Sequence, residues 1–168
     1  MIITEGVLNF DFQTDDGSLL SKYDEWCFYR HHFCKIAEGI KAVDFIYIDK
    51  SQRCTWLIEV KDYRHPQTEK IKPSELADAV ALKVRDTLAG LVAAKYNAID
   101  VNEKQFSQHA LEMSEIRVVL HLEQVLAKRY IEPADILTKL KQKLKAIDAH
   151  LKVVNKDNLK SDMRWVVS

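Results

Sequence analysis

The sequence predicts an α/β fold in which α-helices flank a central mixed β-sheet. Residues 42–48 and 55–63 are rich in β-branched and aromatic side chains, and turn-forming residues 49–52 lie between them, which is typical of a β-hairpin. Residues 73–97 are rich in alanine and carry apolar side chains at helical spacing. This helix and the connection after it are long enough for a crossover, so we expect strand 55–63 and the apolar strand 116–122 to be parallel.

The segment before the hairpin fits more than one pattern. Residues 2–12 predict a short strand or hairpin edge, and residues 14–18 have the composition of a turn. Within residues 19–39, apolar side chains at helical spacing favour a helix that ends near Trp26, but the aromatic run after it is equally typical of a strand. We therefore expect a helix up to about Trp26, followed by a strand that ends at Ile36.

The elements after the hairpin follow from apolar spacing and from helix-start signals. Pro73 suits the first turn of a helix, and Pro133 opens another helix in the same way. We expect a basic loop at 64–72, helices at 73–97 and 133–151, a polar connection with at most a short helical turn at 98–114, a polar loop at 155–162 and a strand at 164–167. No repeat or composition shift divides the chain, which predicts one domain over residues 1–168.

Composition restricts the classes of function. The 168 residues include 25 Lys or Arg and 25 Asp or Glu, so the net charge is near zero and any binding of nucleic acid must use a local basic patch. No apolar run reaches membrane-spanning length, and the acidic N-terminus lacks the features of a signal peptide. The three cysteines lack the paired spacing of a zinc site. We therefore expect a cytoplasmic protein with no membrane partner.

Charged residues interrupt the two central strands. Asp44 interrupts the first strand, and Glu59 and Lys61 lie on either side of Val60 in the second. Because strand side chains alternate, Glu59 and Lys61 share a face, and pairing of the hairpin would bring Asp44 beside them. Buried charges are costly unless they are paired or bind a metal. This group is therefore the main candidate for a functional site.

The same residues resemble a known motif. Asp44, a gap of fourteen residues and then Glu59-Val60-Lys61 are similar to the D-X(n)-E-X-K signature of the PD-(D/E)XK nuclease superfamily, and the apolar flanks VDFIYI and WLIEVK agree with it. The resemblance covers residues 26–97. It implies a restriction-endonuclease-like fold and metal-dependent hydrolysis of nucleic acid, with DNA favoured over RNA. Val43 stands where the family has a proline.

The resemblance implies a role for each member of the group. Asp44 and Glu59 are expected to bind Mg²⁺ or Mn²⁺, with the carbonyl of Val60 as a further ligand, because Mg²⁺ prefers a few carboxylate oxygens and retains several waters. Lys61 would orient or help deprotonate the attacking water. Glu25 is the candidate for an additional acid, with Glu5 and Glu38 as alternatives. The structural alternative is a salt bridge of Lys61 with either carboxylate.

Basic residues near this group are candidates for contacts with nucleic acid. Arg64, His65, Lys70 and Lys72 leave the second strand in one loop and are expected to hold phosphates. On the long helix, rotation allows only one of two neighbouring cations to face the site, and we favour Lys83 over Arg85.

Other polar groups predict structural roles. His31 and His32 are adjacent, and adjacent strand residues point to opposite faces, so with Cys34 they form a poor metal site. His121 is expected to be a satisfied core or edge histidine, and the lysines of 139–145 a solvated helix face. The chain lacks the glycine-rich phosphate-binding motifs, which disfavours nucleotide hydrolases and dinucleotide oxidoreductases.

The charged group and the resemblance together predict a small magnesium-dependent nuclease, and the resemblance implies that it acts on DNA and pairs as a homodimer. The alternative is a non-catalytic protein that keeps the nuclease fold and binds a partner protein or nucleic acid. The geometry of Asp44 and Glu59 distinguishes the two. Carboxylates close enough to share one ion favour the enzyme, and carboxylates splayed apart or both held by basic partners favour the binding protein.

Overall fold

The computed structural model describes residues 1–64, 71–125 and 130–168. Its strands are β1 (Ile2–Glu5), β2 (Leu8–Phe12), β3 (Leu19–Ser21), β4 (Phe45–Asp49), β5 (Cys54–Asp62), β6 (Glu115–Glu123), β7 (Lys152–Val154) and β8 (Trp165–Val167). Its α-helices are α1 (Cys27–His31), α2 (Pro73–Asn97), α3 (Val101–Glu112) and α4 (Pro133–Leu144). Short 3-10 turns at Tyr23–Glu25 and Phe33–Lys35 precede and follow α1.

The central sheet has five strands in the order β3-β4-β5-β6-β7. β4 pairs with its neighbours β3 and β5 in antiparallel fashion, whereas β5–β6 and β6–β7 are parallel pairs. The hairpin of β4 and β5 and the parallel pairing of β5 with β6 confirm the predicted mixed sheet. A second sheet, in the order β1-β2-β8, is antiparallel throughout.

The two faces of the central sheet bury different layers. Ile46 and Ile48 of β4 point into a core that they share with the buried faces of α2, α3 and α4. Phe45 and Tyr47, the alternate residues, pack with side chains of the small sheet, such as Phe10. The helices therefore lie on one face of the central sheet, and the small sheet covers the other. Within the described part of the chain, no helix has the length and apolarity needed to cross a membrane.

The segment 19–39 differs from the prediction. Its strand, β3, comes first, and the aromatic run expected to be a strand forms α1 and the two 3-10 turns. The cause is tertiary: the carboxylate of Glu103 on α3 accepts the backbone N–H groups of Cys27 (2.7 Å) and Phe28 (3.1 Å), which satisfies the first amides of α1. A cap from a distant residue thus outweighs the local strand preference of the aromatic side chains.

Two other elements also differ from the prediction. Residues 98–114, expected to be a connection, contain the twelve-residue helix α3, whose N-cap Asp100 accepts the N–H groups of Asn102 and Glu103. The helix expected over 133–151 ends at Leu144 instead. Beyond it, the carboxylate of Asp148 accepts the N–H groups of Val118 and His150, which fixes a turn and lets β7 join the sheet.

Gly90 marks a close approach between α2 and the segment before α1. A Cβ atom at Gly90 would lie 1.8 Å from the hydroxyl oxygen of Tyr23 and 3.2 Å from Cδ1 of Phe33. Tyr23 is fully buried, and its hydroxyl has no hydrogen-bond partner among the described residues. Glycine is therefore required here for packing, and the hydroxyl oxygen of Tyr23 is the atom that a larger side chain would meet first.

Gly90→Ala is expected to destabilise the protein by about 2 kcal/mol. Helix propensity alone would stabilise it by about 1 kcal/mol, but the overpacking at Tyr23 costs more than this gain. Urea unfolding of the single variant and of Tyr23→Phe/Gly90→Ala measures the effect, and removal of the hydroxyl should restore much of the loss. Ala89→Gly, at the exposed neighbouring position, reports propensity alone. A stabilised Gly90→Ala protein would contradict this packing argument.

Candidate functional site

The candidate site lies where β4 begins and β5 ends, on the helix-covered face of the sheet. β4 and β5 are paired with Phe45 opposite Ile58, so Asp44, one residue before β4, adjoins Glu59. Along β5, Glu59 alternates with Ile58 and Val60, whose side chains lie in the core shared with the small sheet. Glu59 therefore points the other way, towards α2, and its strand neighbour on that face is Lys61.

Four charged side chains meet at this point, and we refer to Asp44, Glu59, Lys61 and Lys83 as the charge quartet. Lys83 Nζ lies 2.7 Å from Oε1 and 2.8 Å from Oε2 of Glu59, and 3.4 Å from Oδ1 of Asp44. Lys61 Nζ lies 2.8 Å from Oε1 of Glu59. The quartet contains two carboxylates and two ammonium groups, so its formal charges cancel.

The second carboxylate oxygen of Asp44 is used by the backbone. Asp44 Oδ2 accepts the N–H of Val60 at 2.7 Å. Asp44 thus joins the beginning of β4 to the end of β5, and through Lys83 it also joins both strands to α2. Each side chain of the quartet contacts a residue on another element, or in the case of Lys61 its neighbour Glu59 on β5. These contacts fix the geometry of the group.

Burial in the quartet is uneven. The side chain of Glu59 is 1% exposed, that of Lys83 18% and that of Lys61 29%. Burial, reinforced by the nearby Asp44 carboxylate, raises the pKa of Glu59 to about 7, although both lysines act in the opposite direction. Burial acts to lower the pKa of Lys83, but the charges of Glu59 and Asp44 outweigh it and raise that pKa. Lys83 is therefore held in its charged form.

Lys83 bears directly on whether Asp44 and Glu59 suit a divalent metal. Its ammonium is already the cation that both carboxylates share, so an ion between them would have to displace it. Among the residues that the structure describes, no three His, Cys, Asp or Glu side chains converge as metal ligands. Lys83 therefore occupies the position between the two carboxylates. The binding of Mg²⁺ or Mn²⁺ by Asp44, Glu59 and Val60 stays a prediction.

Asp24 is a carboxylate near this site that the sequence analysis did not single out. Burial and the neighbouring Asp44 carboxylate raise the pKa of Asp24, and its Oδ1 is buried without a hydrogen-bond partner in the described part of the chain. Glu25, the residue favoured by sequence, is exposed and lines an open groove with Lys22. The only local signal for Asp24 was its position next to Tyr23, whose burial the helical spacing indicated.

The predicted phosphate-binding residues are placed differently from one another. Arg64 is held by Asp62, with Nε 2.9 Å from Oδ1 and Nη2 2.6 Å from Oδ2. Lys72 is exposed at the N-terminus of α2. Lys83 faces the carboxylates, whereas Arg85 points outward and binds the adjacent Asp86. His65 and Lys70 lie outside the described residues.

The histidines considered in the sequence analysis do not belong to the quartet. His31 and His32 are exposed at the end of α1. His121 is fully buried, stacks edge-on against Phe10, and has its Nε2 3.0 Å from Oε1 of Glu123. His121 thus has the predicted core position, but it is satisfied only in part, because its Nδ1 is buried without a hydrogen-bond partner among the described residues.

Comparison with known proteins finds a similarity that differs from the one that the motif suggested. No protein-family model and no solved structure matches the chain. The chain is similar to the cysteine–tRNA ligase of Neisseria meningitidis serogroup A, with 36% identity over 173 aligned residues that cover 85% of this chain. The chain spans about a quarter (24%) of the length of that ligase.

This similarity overturns the assignment to the PD-(D/E)XK nuclease superfamily, and with it the predicted metal-dependent nuclease and its inactive nuclease-fold alternative. The physical reason for the error is visible in the quartet. The motif specifies three positions on two strands, and the structure does bring them together. A fourth residue, Lys83 on α2, binds both carboxylates and completes a set of ion pairs that the motif alone did not contain.

Lys83→Met is expected to reduce the free energy of unfolding by about 3 kcal/mol, because it leaves the carboxylates of Glu59 and Asp44 without their shared cation in a buried site. Lys61→Met is the matched control. Its ammonium is more exposed and contacts only Glu59 within the quartet, so a loss of about 1 kcal/mol is expected.

Urea unfolding of both variants tests this difference in stability. The double variant Glu59→Gln/Lys83→Met is measured in the same way. Neutralising Glu59 should recover part of the stability that Lys83→Met loses, because one buried charge is then removed. Equal losses for Lys61→Met and Lys83→Met, or no recovery in the double variant, would show that the shared cation is not the stabilising contact.

Glu59 should also make stability depend on pH. Its pKa is about 7 in the folded protein against an ordinary value of 4.5, so between these pH values the folded state binds a proton that the unfolded state releases. The contribution of Glu59 therefore falls as pH rises from about 4.5 to 7, with a slope approaching about 1.4 kcal/mol per pH unit. Unfolding of wild type and Glu59→Gln from pH 4 to 8 measures it, and parallel curves would contradict the assignment.

Proposed function

We propose that this chain is a domain related to aminoacyl-tRNA synthetases that binds tRNA. The observation that carries the proposal is the 36% identity to a cysteine–tRNA ligase over 85% of the chain. A likeness of this extent covers most of the chain, whereas the nuclease motif used three residues. The relation to a ligase makes the chain enzyme-related and makes RNA its expected nucleic-acid partner.

The proposal concerns RNA binding and does not extend to the ligation reaction. The chain spans about a quarter of the ligase, and it has only four glycines and none of the glycine-rich motifs that cradle nucleotide phosphates. The role of the charge quartet within such a domain is structural. Both carboxylates are held by lysine, so their charges are used within the protein.

Fluorescence anisotropy with labelled cysteine tRNA tests the proposal. The purified chain should bind this tRNA with a Kd below about 1 μM at 0.1 M salt, tighter than is usual for non-specific binding. A DNA duplex of equal charge and a tRNA of another identity are the controls. Equal binding of tRNA and DNA, or no binding of tRNA at low salt, would contradict the proposal.

Nuclease activity is checked in the same experiment. Recovery of intact tRNA after incubation with the chain in Mg²⁺ is expected, because the carboxylates of the quartet are already bound by lysines.

Weaker binding of a second tRNA than of cysteine tRNA would show that the chain distinguishes tRNAs by the amino acid that the name of the ligase specifies.

A further inference from the structure

The outward face of α4 carries a concentration of positive charge. α4 is anchored by Ile136, Leu140 and Leu144, which are all buried. Lysines border this buried stripe on both of its flanks, and we call them the lysine face: Lys139, Lys141, Lys143 and Lys145, the last of these at the C-cap. Three of these lysines are exposed and Lys139 is half-buried. The structure thus agrees with the predicted solvent-facing position of this run.

Helical spacing arranges the lysine face in two rows. Lys139 and Lys143 are four residues apart, as are Lys141 and Lys145, so each pair lies one turn apart along the same side of the helix. Like charges at this spacing repel each other and slightly destabilise the helix. The helix dipole offsets part of this cost, because cations are favourable in the last turn. The arrangement leaves two rows of lysines, one on each flank of the exposed surface of α4, with Cβ atoms about 5–6 Å apart within each row.

The charges of the lysine face are largely available. Lys143 forms an ion pair with Asp78 of α2. In the described part of the chain, the ammonium groups of Lys139, Lys141 and Lys145 have no carboxylate partner. The cations near the charge quartet are different, because Arg64 is bound by Asp62 and Lys83 by two carboxylates.

We infer that the lysine face of α4 is the surface through which this chain holds the phosphate backbone of structured RNA. This inference rests on the proposed tRNA binding and names the surface for it. Unpaired lysines bind phosphates by releasing the counterions of the nucleic acid, and they need no base contact to do so. Folded RNA is bound mainly by its shape and backbone, which suits two rows of cations on one helix.

The test compares two variants with the same change in net charge. Lys139→Gln/Lys141→Gln/Lys145→Gln removes the three unpaired charges of the lysine face, and glutamine keeps the helix propensity close to that of lysine. Lys35→Gln/Lys41→Gln/Lys104→Gln removes three exposed lysines elsewhere. Binding of cysteine tRNA is measured by anisotropy from 50 to 300 mM salt, and thermal unfolding verifies that both variants are folded.

The α4 variant should weaken tRNA binding at least about tenfold and lower the slope of log K against log salt by about 2. The control variant should stay within about twofold of wild type. If wild type binds tRNA and the α4 variant matches the control, the lysine face is not the RNA surface and the proposed function stands; an acidic protein surface is then its alternative partner. If wild type does not bind tRNA, the proposed function fails and this inference fails with it.

Discussion

The ion pairs of Lys83 hold the helical layer to the sheet at the end of the structure that contains the candidate site. Lys83 lies on α2, Glu59 on β5 and Asp44 just before β4, so one ammonium group connects three parts of the chain that are distant in sequence. Carboxylates as buried as Glu59 are costly without a partner. A shifted register of β4 against β5, or a rotated α2, would leave at least one of these charges unpaired, so the quartet restricts both.

Sequence patterns predicted the parts of the fold that local residues determine. The β4–β5 hairpin and α2 have their own strong periodicities, and strand alternation alone was enough to place Asp44, Glu59 and Lys61 on one face. The patterns failed where the determining contact comes from elsewhere. α1 depends on the carboxylate of Glu103. α3 buries few residues of its own and so has a weak apolar stripe, although its cap Asp100 was readable.

The candidate site shows why position and chemistry are separate predictions. Alternation along β5 fixes which face a side chain occupies, but it does not say which charge will meet it from the opposite layer. A carboxylate pair that meets solvent can take a metal, whereas the same pair facing an ammonium group becomes part of a neutral cluster. That difference depends on the rotation of α2: helical spacing predicted that Lys83 would face the site, but not that its ammonium group would bind both carboxylates. The similarity to a tRNA ligase draws on residues across most of the chain and is independent of this rotation.

The link between α1 and Glu103 bears on the order in which the chain folds. A helix of five residues is too short to persist alone. The carboxylate that caps its first amides belongs to Glu103, which lies 76 residues after Cys27 and 75 after Phe28. α1 therefore has no local nucleus. It can form only after the crossover through α2 has placed α3 beside it. Such long-range closure is slow relative to hairpin or helix formation. The aromatic segment around Tyr23 and Phe28 consequently joins the helical core as a late step, and a break in the chain between α1 and α3 would separate the helix from its cap.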